Sequence, residues 1–352
     1  MSSRNDPAAA MGRGLLIASI SLALALPLYG QRGDLGKRLK ELNVRHTTAH
    51  YVLAGTVTDA RLREYGQALE WIHGEYARGF AGLLTEGPGS SSAPVGSRPP
   101  AEGTKPAGSS REGGATDGPS GSSGGLSITE GDKQGRFRVI VLAARHQYDQ
   151  FAKAFLDQSA EHTNGMYLHA HQLLLVLDQG NPDDTYETLF HEAFHQFLRR
   201  YVSNPPMWLN EGLATHFGSA RPARDGVVFS RPPTARWKLV RELIEDRKAI
   251  PLADVIHADR RQFYDRTPIR LADLDGVTRK HACYAEAYTL VHMLLNKPQG
   301  RQRLHDYIRD LAADESGDAK AITEKHFDRK TCDSLASHWV EYVHSRPETR
   351  SP

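Results

Sequence analysis

The residues best suited to chemistry lie in the short segment H-E-A-F-H, which runs from His191 to His195. Apolar residues around this segment recur with helical spacing, so it is predicted to lie on a helix. Positions i and i+4 of a helix share one face, which lets the two imidazoles converge on one cation. Neutral imidazole is a good zinc ligand, and a catalytic zinc keeps three protein ligands and one open position for water. Glu192, beside the first histidine, is then placed to take a proton from that water.

A third metal ligand is predicted from the segment W-L-N-E-G-L-A, in which the acidic residue is Glu211. Fifteen residues separate His195 from Glu211. Within that stretch Pro205-Pro206 ends the first helix, because proline cannot continue a helix. A second, antiparallel helix that begins near Met207 brings Glu211 to the two histidines. The pattern therefore predicts one zinc ion per chain, bound by both histidines and Glu211. The alternative is a surface helix that carries two histidines without a metal-binding role. That alternative does not explain why they occur on an otherwise apolar helix.

The two motifs resemble those of the gluzincin zinc metallopeptidases of the peptidase MA clan, and the second is close to the W-L-N-E-G-F-A of aminopeptidase N relatives. Their spacing is shorter than in the aminopeptidases, and Gly165-Met166-Tyr167 lacks the glutamate that would hold a free amine. The chain is most similar to the bacterial peptidase MA-like domain-of-unknown-function 1570 family, over about residues 44–84 and 135–345. The resemblance implies a zincin-like α+β fold and a zinc metallopeptidase that acts as an endopeptidase.

The resemblance also implies roles for two further parts of the chain. In gluzincins an edge strand binds extended substrate by backbone pairing, which implies this role for the segment 165–178. A tyrosine of the downstream helical lobe commonly donates to the oxyanion, which implies Tyr284 as a catalytic residue, with Tyr288 as the second choice. Ordinary helix packing explains both tyrosines equally well, because they lie one turn apart on an apolar stripe.

Length and charge limit the classes of function. At 352 residues, with 39% hydrophobic and 24% charged residues, the chain is expected to form one large or two modest domains. A formal net charge of +2, without a basic stripe that carries interleaved aromatic residues, argues against a nucleic-acid partner. The expected partner is a peptide or protein substrate, and the sequence leaves the oligomeric state open.

Residues 1–30 are predicted to be a signal peptide or an uncleaved signal anchor. Two arginines precede an apolar run at 15–28. This run has the length of a signal-peptide core and is short for a membrane span, which needs about 20 residues. Either form predicts an exported chain that is periplasmic, extracellular or anchored to the membrane. Cys283 and Cys332 are compatible with a disulfide in such a compartment, and equally with two buried thiols.

A zincin-like N-terminal lobe is predicted over residues 31–84 and 134–217. A β-rich run is followed by a helix that begins near Asp59, and 136–142 reads as a strong apolar strand. Residues 85–133 are rich in Gly, Ser and Pro and are predicted to be a disordered insertion. The insertion falls within one lobe, because the strand at 136–142 needs the earlier elements to pack on.

Two details concern the chain just before the metal motif. His169 and His171 share a face of a predicted strand and could form a second metal pair, although contact with solvent or substrate is the simpler explanation. Asp183 or Thr185 is predicted to cap the helix that carries the motif.

The part after the metal motifs, residues 218–346, is predicted to be a mainly helical C-terminal lobe across the cleft from the sheet. Helical apolar spacing recurs in five of its segments, at 235–246, 252–264, 281–296, 301–313 and 331–344. Just before this lobe, Thr215 and His216 follow Glu211 and are candidates to orient one of the metal ligands.

These observations together predict an exported zinc metallopeptidase with Glu192 as the general base and Tyr284 as the oxyanion donor. One alternative is a zinc-bound module that holds a peptide or a cell-envelope component without cleaving it. Retention of Glu192 argues against that alternative, since a binding module has no use for a base beside the metal. Another is a hydrolase of a non-protein amide, such as a cell-wall crosslink.

Overall fold

The computed structural model describes residues 45–80, 134–156, 163–230 and 232–346, together with Leu42 and Ile128. Five strands form a mixed sheet, namely β1 (His46–Thr47), β2 (Tyr51–Gly55), β3 (Phe137–Leu142), β4 (Gly165–Leu168) and β5 (Leu173–Leu177). Their order in the sheet is β1-β2-β3-β5-β4. The three central strands are parallel, whereas β1 and β4 run antiparallel to their neighbours at the two edges. The segment 165–178 therefore contains two strands, and its first strand is an edge of the sheet.

Helices cover both faces of the sheet, because its central strands are apolar on both faces. Val139 and its alternate neighbours in β3 pack on the side of α1 (Asp59–Gly79) and of α3 (Pro182–Tyr201), the helix that carries the metal motif. Ile140 points to the opposite side, where α2 (Arg145–Leu156) packs. The metal motif thus lies on a helix that is fixed directly to the sheet.

The start of α3 differs from the prediction. Asn181 is its N-cap, and the side chain of Asn181 accepts a hydrogen bond from the backbone N–H of Asp183. The prediction of Asp183 or Thr185 as the cap is therefore wrong. Pro182 explains the earlier start, because proline at the first helical position has a suitable φ and lacks only an N–H that would have no partner within the helix.

A short connection reverses the chain between α3 and α4 (Met207–Gly218). α3 ends at Tyr201, and Pro206 directly precedes α4, so the predicted helix break is confirmed. Gly212 allows α4 to lie close to the helix Arg279–Asn296. A Cβ atom at position 212 would lie 2.7 Å from the carbonyl oxygen of Ala287. The glycine that follows Glu211 in the second motif is therefore required by the packing of two helices.

The chain beyond α4 is mainly helical, as predicted. It begins with a hairpin of β6 (Arg221–Ala223) and β7 (Gly226–Val228). The helices that follow are α5 (Thr234–Glu245), α6 (Leu252–Ile256), α7 (Arg260–Phe263), α8 (Arg279–Asn296), α9 (Pro298–Ala313), α10 (Ala319–His326) and α11 (Arg329–Ser345). The segment 252–264 forms two short helices instead of one, because a capping box at Asp259 starts a new helix. The hairpin and α10 are too short to show a clear period in the sequence.

The α+β fold class is confirmed by this combination of a mixed sheet, a metal-motif helix and a helical C-terminal part. Cys283 and Cys332 are free and buried, so the two-thiol alternative is correct and the disulfide alternative is wrong. None of the helices in the described part of the chain has the length and apolar character that a membrane span requires. The predicted leader at 1–30 lies outside the described residues, as does the insertion at 85–133 apart from Ile128.

Candidate metal centre

His191 and His195 lie one turn apart on α3 and are almost completely buried, at 0% and 1% exposure. Their Nε2 atoms are 3.2 Å apart, and the two rings are nearly perpendicular. The i, i+4 spacing has therefore brought two ligand atoms together at a buried point of the α3–α4 packing.

Glu211 reaches the same point from α4. Its Oε2 atom lies 3.5 Å from Nε2 of His191 and 3.7 Å from Nε2 of His195. Two ligands bound at about 2.0–2.1 Å to a tetrahedral zinc are about 3.3 Å apart, so this triangle has nearly the size that one metal ion requires. The structure thus brings together the three predicted ligands, and the donor set of two imidazoles and one carboxylate suits zinc.

The hydrogen bonding of Glu211 also fits a metal ligand. Glu211 is 0% exposed, and its Oε2 atom accepts no hydrogen bond from any of the described residues. A buried carboxylate oxygen without a donor is unfavourable, whereas a cation at the centre of the triangle would satisfy it. The Oε2 atom of Glu211, which faces both histidines, therefore lacks a hydrogen-bond donor that a bound cation would replace.

The protonation states suit metal binding as well. Burial lowers the pKa of His195 to about 4, although the charge of Glu211 acts in the opposite direction. Burial by itself raises the pKa of Glu211, but the neighbouring histidines and a hydrogen bond from Tyr264 lower it to about 2. At neutral pH the imidazole of His195 is thus neutral and the carboxylate of Glu211 is ionised, which are the forms that bind a cation.

Asn210 orients one of the ligands. Its Oδ1 atom lies 3.0 Å from Nδ1 of His195. Because an amide oxygen only accepts hydrogen bonds, this contact places the imidazole proton on Nδ1 and leaves the lone pair of Nε2 directed at the metal position. Asn210 directly precedes Glu211 in the second motif, so its position in W-L-N-E-G could have indicated that it lies close to the predicted ligands.

Tyr264 orients another predicted ligand, Glu211, and no sequence motif indicated this contact. Its hydroxyl donates a hydrogen bond to Oε1 of Glu211, at 3.0 Å. Tyr264 follows α7 directly, in a part of the chain that carries no metal motif. Burial, and next the charge of Glu211, raise the pKa of Tyr264 well above its ordinary value, so it remains a neutral donor.

The two residues predicted to orient a ligand do not do so. The hydroxyl of Thr215 makes no hydrogen bond to the described residues. The ring of His216 stacks on Phe229, with 4.9 Å between the ring centroids, and its Nδ1 has no hydrogen-bond partner there. Both follow Glu211 by about one helical turn, and neither is hydrogen-bonded to His191, His195 or Glu211 among the contacts that the structure shows. This prediction is therefore wrong.

Glu192 lies beside the triangle and is held by the edge strand. It is 1% exposed, and its Oε2 atom accepts a hydrogen bond from the backbone N–H of Tyr167 in β4, at 3.0 Å. One oxygen of Glu192 lies within 4.8 Å of ligand nitrogens of both histidines. Glu192 and Glu211 are thus both close to the histidines, and Glu192 is in addition hydrogen-bonded to β4.

Tyr284 lies behind Tyr264 as seen from the ligands. The two hydroxyl oxygens are 3.5 Å apart, and Tyr264 is the one that contacts Glu211. The ring of Tyr288 instead packs against Trp237 and His292. The structure therefore connects Tyr284 to the centre through one intervening hydroxyl, and its role as oxyanion donor stays a prediction.

The predicted second metal pair is wrong. His169 and His171 lie in a one-turn 3-10 helix (His169–His171) that joins β4 to β5, and both are exposed. They do not share a strand face, because the chain turns at these residues. The metal-ligating side chains that lie close together in the described part of the chain are His191, Glu192 and His195, with Glu211 beside the two histidines, and neither His169 nor His171 is among them.

A comparison with protein families supports the resemblance noted in the sequence. Residues 185–316 match the model of a family described as "Protein of unknown function (DUF1570)". This is the family that the sequence resembles over about residues 44–84 and 135–345, and the match covers the part of that resemblance from 185 to 316. The matched segment contains the whole ligand set, together with Asn210 and Tyr264. A search of the curated proteins finds no match. The DUF1570 match and the buried His-Glu-His group are compatible with a metallopeptidase.

Proposed function

We propose that this protein is a zinc-dependent peptidase of the gluzincin type that hydrolyses internal peptide bonds. The observation that carries the proposal is the buried triangle of two imidazole nitrogens and one carboxylate oxygen, with the second carboxylate of Glu192 beside it. His191, His195 and Glu211 would hold the metal. When bound, zinc supplies Lewis acidity, which acidifies water and polarises a carbonyl group.

The residues of the chain supply proton transfer and alignment. Glu192 is fixed through Oε2 to the backbone of Tyr167, so we assign its Oε1 atom to accept a proton from water and later to pass it to the leaving amine. The backbone N–H of Tyr167 points away from β5 toward Glu192. The outer edge of β4 therefore borders the site, where an extended peptide can pair with it.

The cellular setting forms part of the proposal. The apolar run at 15–28 supports export, with the leader either cleaved or kept as an N-terminal membrane anchor. The small net charge supports a peptide or protein partner in preference to nucleic acid.

A zinc-bound module without catalysis is the second candidate, and the burial of the site favours it. The four residues of the centre are each at most 1% exposed. Structural zinc sites are closed in this way, whereas a catalytic site must admit water and substrate. Glu192 remains the feature that such a module would not need.

The test is to measure zinc content and casein cleavage for the full chain as wild type and as Glu192→Gln, which preserves the shape of the side chain. We expect one zinc per chain in both proteins, and cleavage in the wild type alone that a chelator abolishes and added zinc restores. His191→Ala should lose the zinc, and the exposed His169→Ala serves as the matched control that keeps it. One zinc in both proteins with cleavage in neither would favour the binding module, and absence of zinc in both would refute the site.

A further inference from the structure

Arg236 is a buried cation that forms no ion pair in the described part of the chain, although its guanidinium lies over the ring of Tyr284. It lies in the first turn of α5 and is 2% exposed. Its Nε–H is buried and donates no hydrogen bond to any described residue, and no described carboxylate oxygen lies within 4.0 Å of its nitrogens. Arginine is always charged and carries five N–H donors, so such burial is costly unless something else satisfies the group.

The position of Arg236 links it to the metal centre. Its guanidinium carbon lies 5.6 Å from the centroid of the Tyr284 ring. The hydroxyl of Tyr284 approaches that of Tyr264, which is bonded to Glu211. The charge of Glu187 and, more weakly, that of Glu211 act on Arg236, although neither carboxylate forms an ion pair with it. The side chains of Tyr284 and Tyr264, whose rings are tilted at 54° to each other, thus lie between Arg236 and the predicted ligand Glu211.

A second cation lies against the same two rings. The ammonium group of Lys280 is 5.5 Å from the ring centroid of Tyr264 and 5.7 Å from that of Tyr284. A divalent metal would be balanced by the carboxylates of Glu192 and Glu211. Glu187 also acts on Arg236, but its carboxylate is paired with Arg221, with 3.3 Å between the two groups. The neighbourhood of a loaded centre is therefore positive, and a bound anion would relieve both the charge and the missing hydrogen bonds.

We propose that Arg236 binds a carboxylate of the substrate close to the scissile bond. The planar fork of a guanidinium matches a carboxylate with two parallel hydrogen bonds, which a single ammonium group cannot make. The carboxylate can come from the C-terminus of a peptide or from an Asp or Glu side chain. The role of Arg236 in cleavage rests on the proposed function, whereas its ability to bind a carboxylate does not.

The test of binding uses three small probes and the metal-free protein, so that a carboxylate cannot bind through zinc. N-acetylglycine carries a C-terminal carboxylate, the α-amide of N-acetylglutamate carries a side-chain carboxylate, and N-acetylglycinamide carries none. Calorimetric titrations compare wild type with Arg236→Met and with Lys238→Met, whose lysine is 62% exposed on the same helix. We expect at least one carboxylate probe to bind the wild type and the Lys238 variant, and to bind Arg236→Met about tenfold or more weakly.

Thermal unfolding provides a second measurement that separates binding from support of the fold. An unpaired buried charge is unfavourable, so Arg236→Met should unfold at the same or a higher temperature than wild type and should keep its zinc. Arg236→Lys, which retains the charge but not the fork, should bind the probe with intermediate affinity. Equal probe binding by wild type and Arg236→Met, no carboxylate binding by wild type, or a lower unfolding temperature with loss of zinc would each overturn the proposal.

The substrate role is tested by the cleavage sites in casein, identified by mass spectrometry of the products. Wild type should cut near acidic residues or near C-termini, and Arg236→Met should lose this preference. Carboxylate binding without any cleavage would refute the proposed peptidase activity but not the carboxylate site at Arg236. Cleavage by wild type without a preference for acidic residues or C-termini would refute the role of Arg236 in substrate selection but not the proposed peptidase activity.

Discussion

The hydroxyl of Tyr264 donates a hydrogen bond to Oε1 of Glu211, with 3.0 Å between the two oxygens. The other oxygen of the same carboxylate faces His191 and His195. A residue of the C-terminal helices therefore fixes the orientation of a ligand that comes from α4. The ligand set is positioned by both parts of the fold, and the metal motifs alone do not complete it.

Replacement of Tyr264 by phenylalanine should weaken zinc binding. The variant removes the donor that orients Glu211, and the loss of such an orienting partner typically costs about 10–100-fold in metal affinity. Competition with a chromogenic chelator measures the effect. Tyr284→Phe is the matched control, because its hydroxyl contacts Tyr264 and not the ligand. Equal zinc affinity of wild type and Tyr264→Phe would contradict the prediction.

Asn210 provides a second test of ligand orientation, independent of Tyr264. Asn210→Ala removes the acceptor for Nδ1–H of His195, so zinc affinity should fall by about 10–100-fold. Asn210→Asp keeps an acceptor oxygen at the same place and should retain most of the affinity. The same chelator competition measures both variants. A similar loss in both would mean that the amide NH₂ group, and not the oxygen, matters.

Gly165 leaves room for Glu192, the proposed general base. A Cβ atom at this position would lie 2.4 Å from Cγ2 of Thr188 and 3.0 Å from Cγ of Glu192. Gly165→Ala should therefore displace Glu192 and lower kcat about tenfold or more, at a cost of about 1–3 kcal/mol in stability. Zinc content should be unchanged, since no ligand is touched.

The matched control for Gly165 is Gly74→Ala on α1, where an added Cβ meets nothing within 4 Å. That variant should be more stable by about 0.5–1 kcal/mol, because alanine favours a helix over glycine, and should keep full activity. Steady-state kinetics on casein and chemical denaturation measure both effects. Normal kcat in Gly165→Ala would show that Glu192 does not depend on the missing Cβ.

Glu286 on α8 should make the stability of the fold depend on pH. Burial raises the pKa of its carboxyl from 4.5 to about 8, although a hydrogen bond from the backbone N–H of Ile250 acts in the opposite direction. Between these values the folded chain holds a proton that the unfolded chain has released. The contribution of Glu286 is therefore fully present below about pH 4.5 and is lost as the pH rises through 8.

The variant Glu286→Gln removes this titration. Its unfolding free energy relative to wild type should increase by on the order of 3 kcal/mol between pH 5 and pH 8. Urea denaturation at these two pH values measures the difference. Parallel pH dependence of the two proteins would refute the assignment of a protonated, buried Glu286.

Elements with a strong local pattern could be predicted from the amino-acid sequence. The apolar runs of β3 and β5, the i, i+4 pair His191 and His195, and the break at Pro206 are properties of neighbouring residues. Such patterns fix which face of an element is buried and where a helix must stop. They were sufficient for the α+β class, for the two helices of the centre and for the three ligand residues that the structure brings together.

The side chains that contact those predicted ligands depend on how the elements pack in three dimensions. Asn210 approaches His195, Tyr264 approaches Glu211, and β4 approaches Glu192 because separate elements pack at particular distances and angles. Local periodicity does not encode such distances. For this reason the sequence pointed to Thr215 and His216, which lie near Glu211 along the chain, whereas packing selected partners that include a residue fifty-three positions away. The buried Nε–H of Arg236, which has no acceptor among the described residues, is likewise a result of packing. The sequence alone does not show which hydrogen-bond partners an arginine will have.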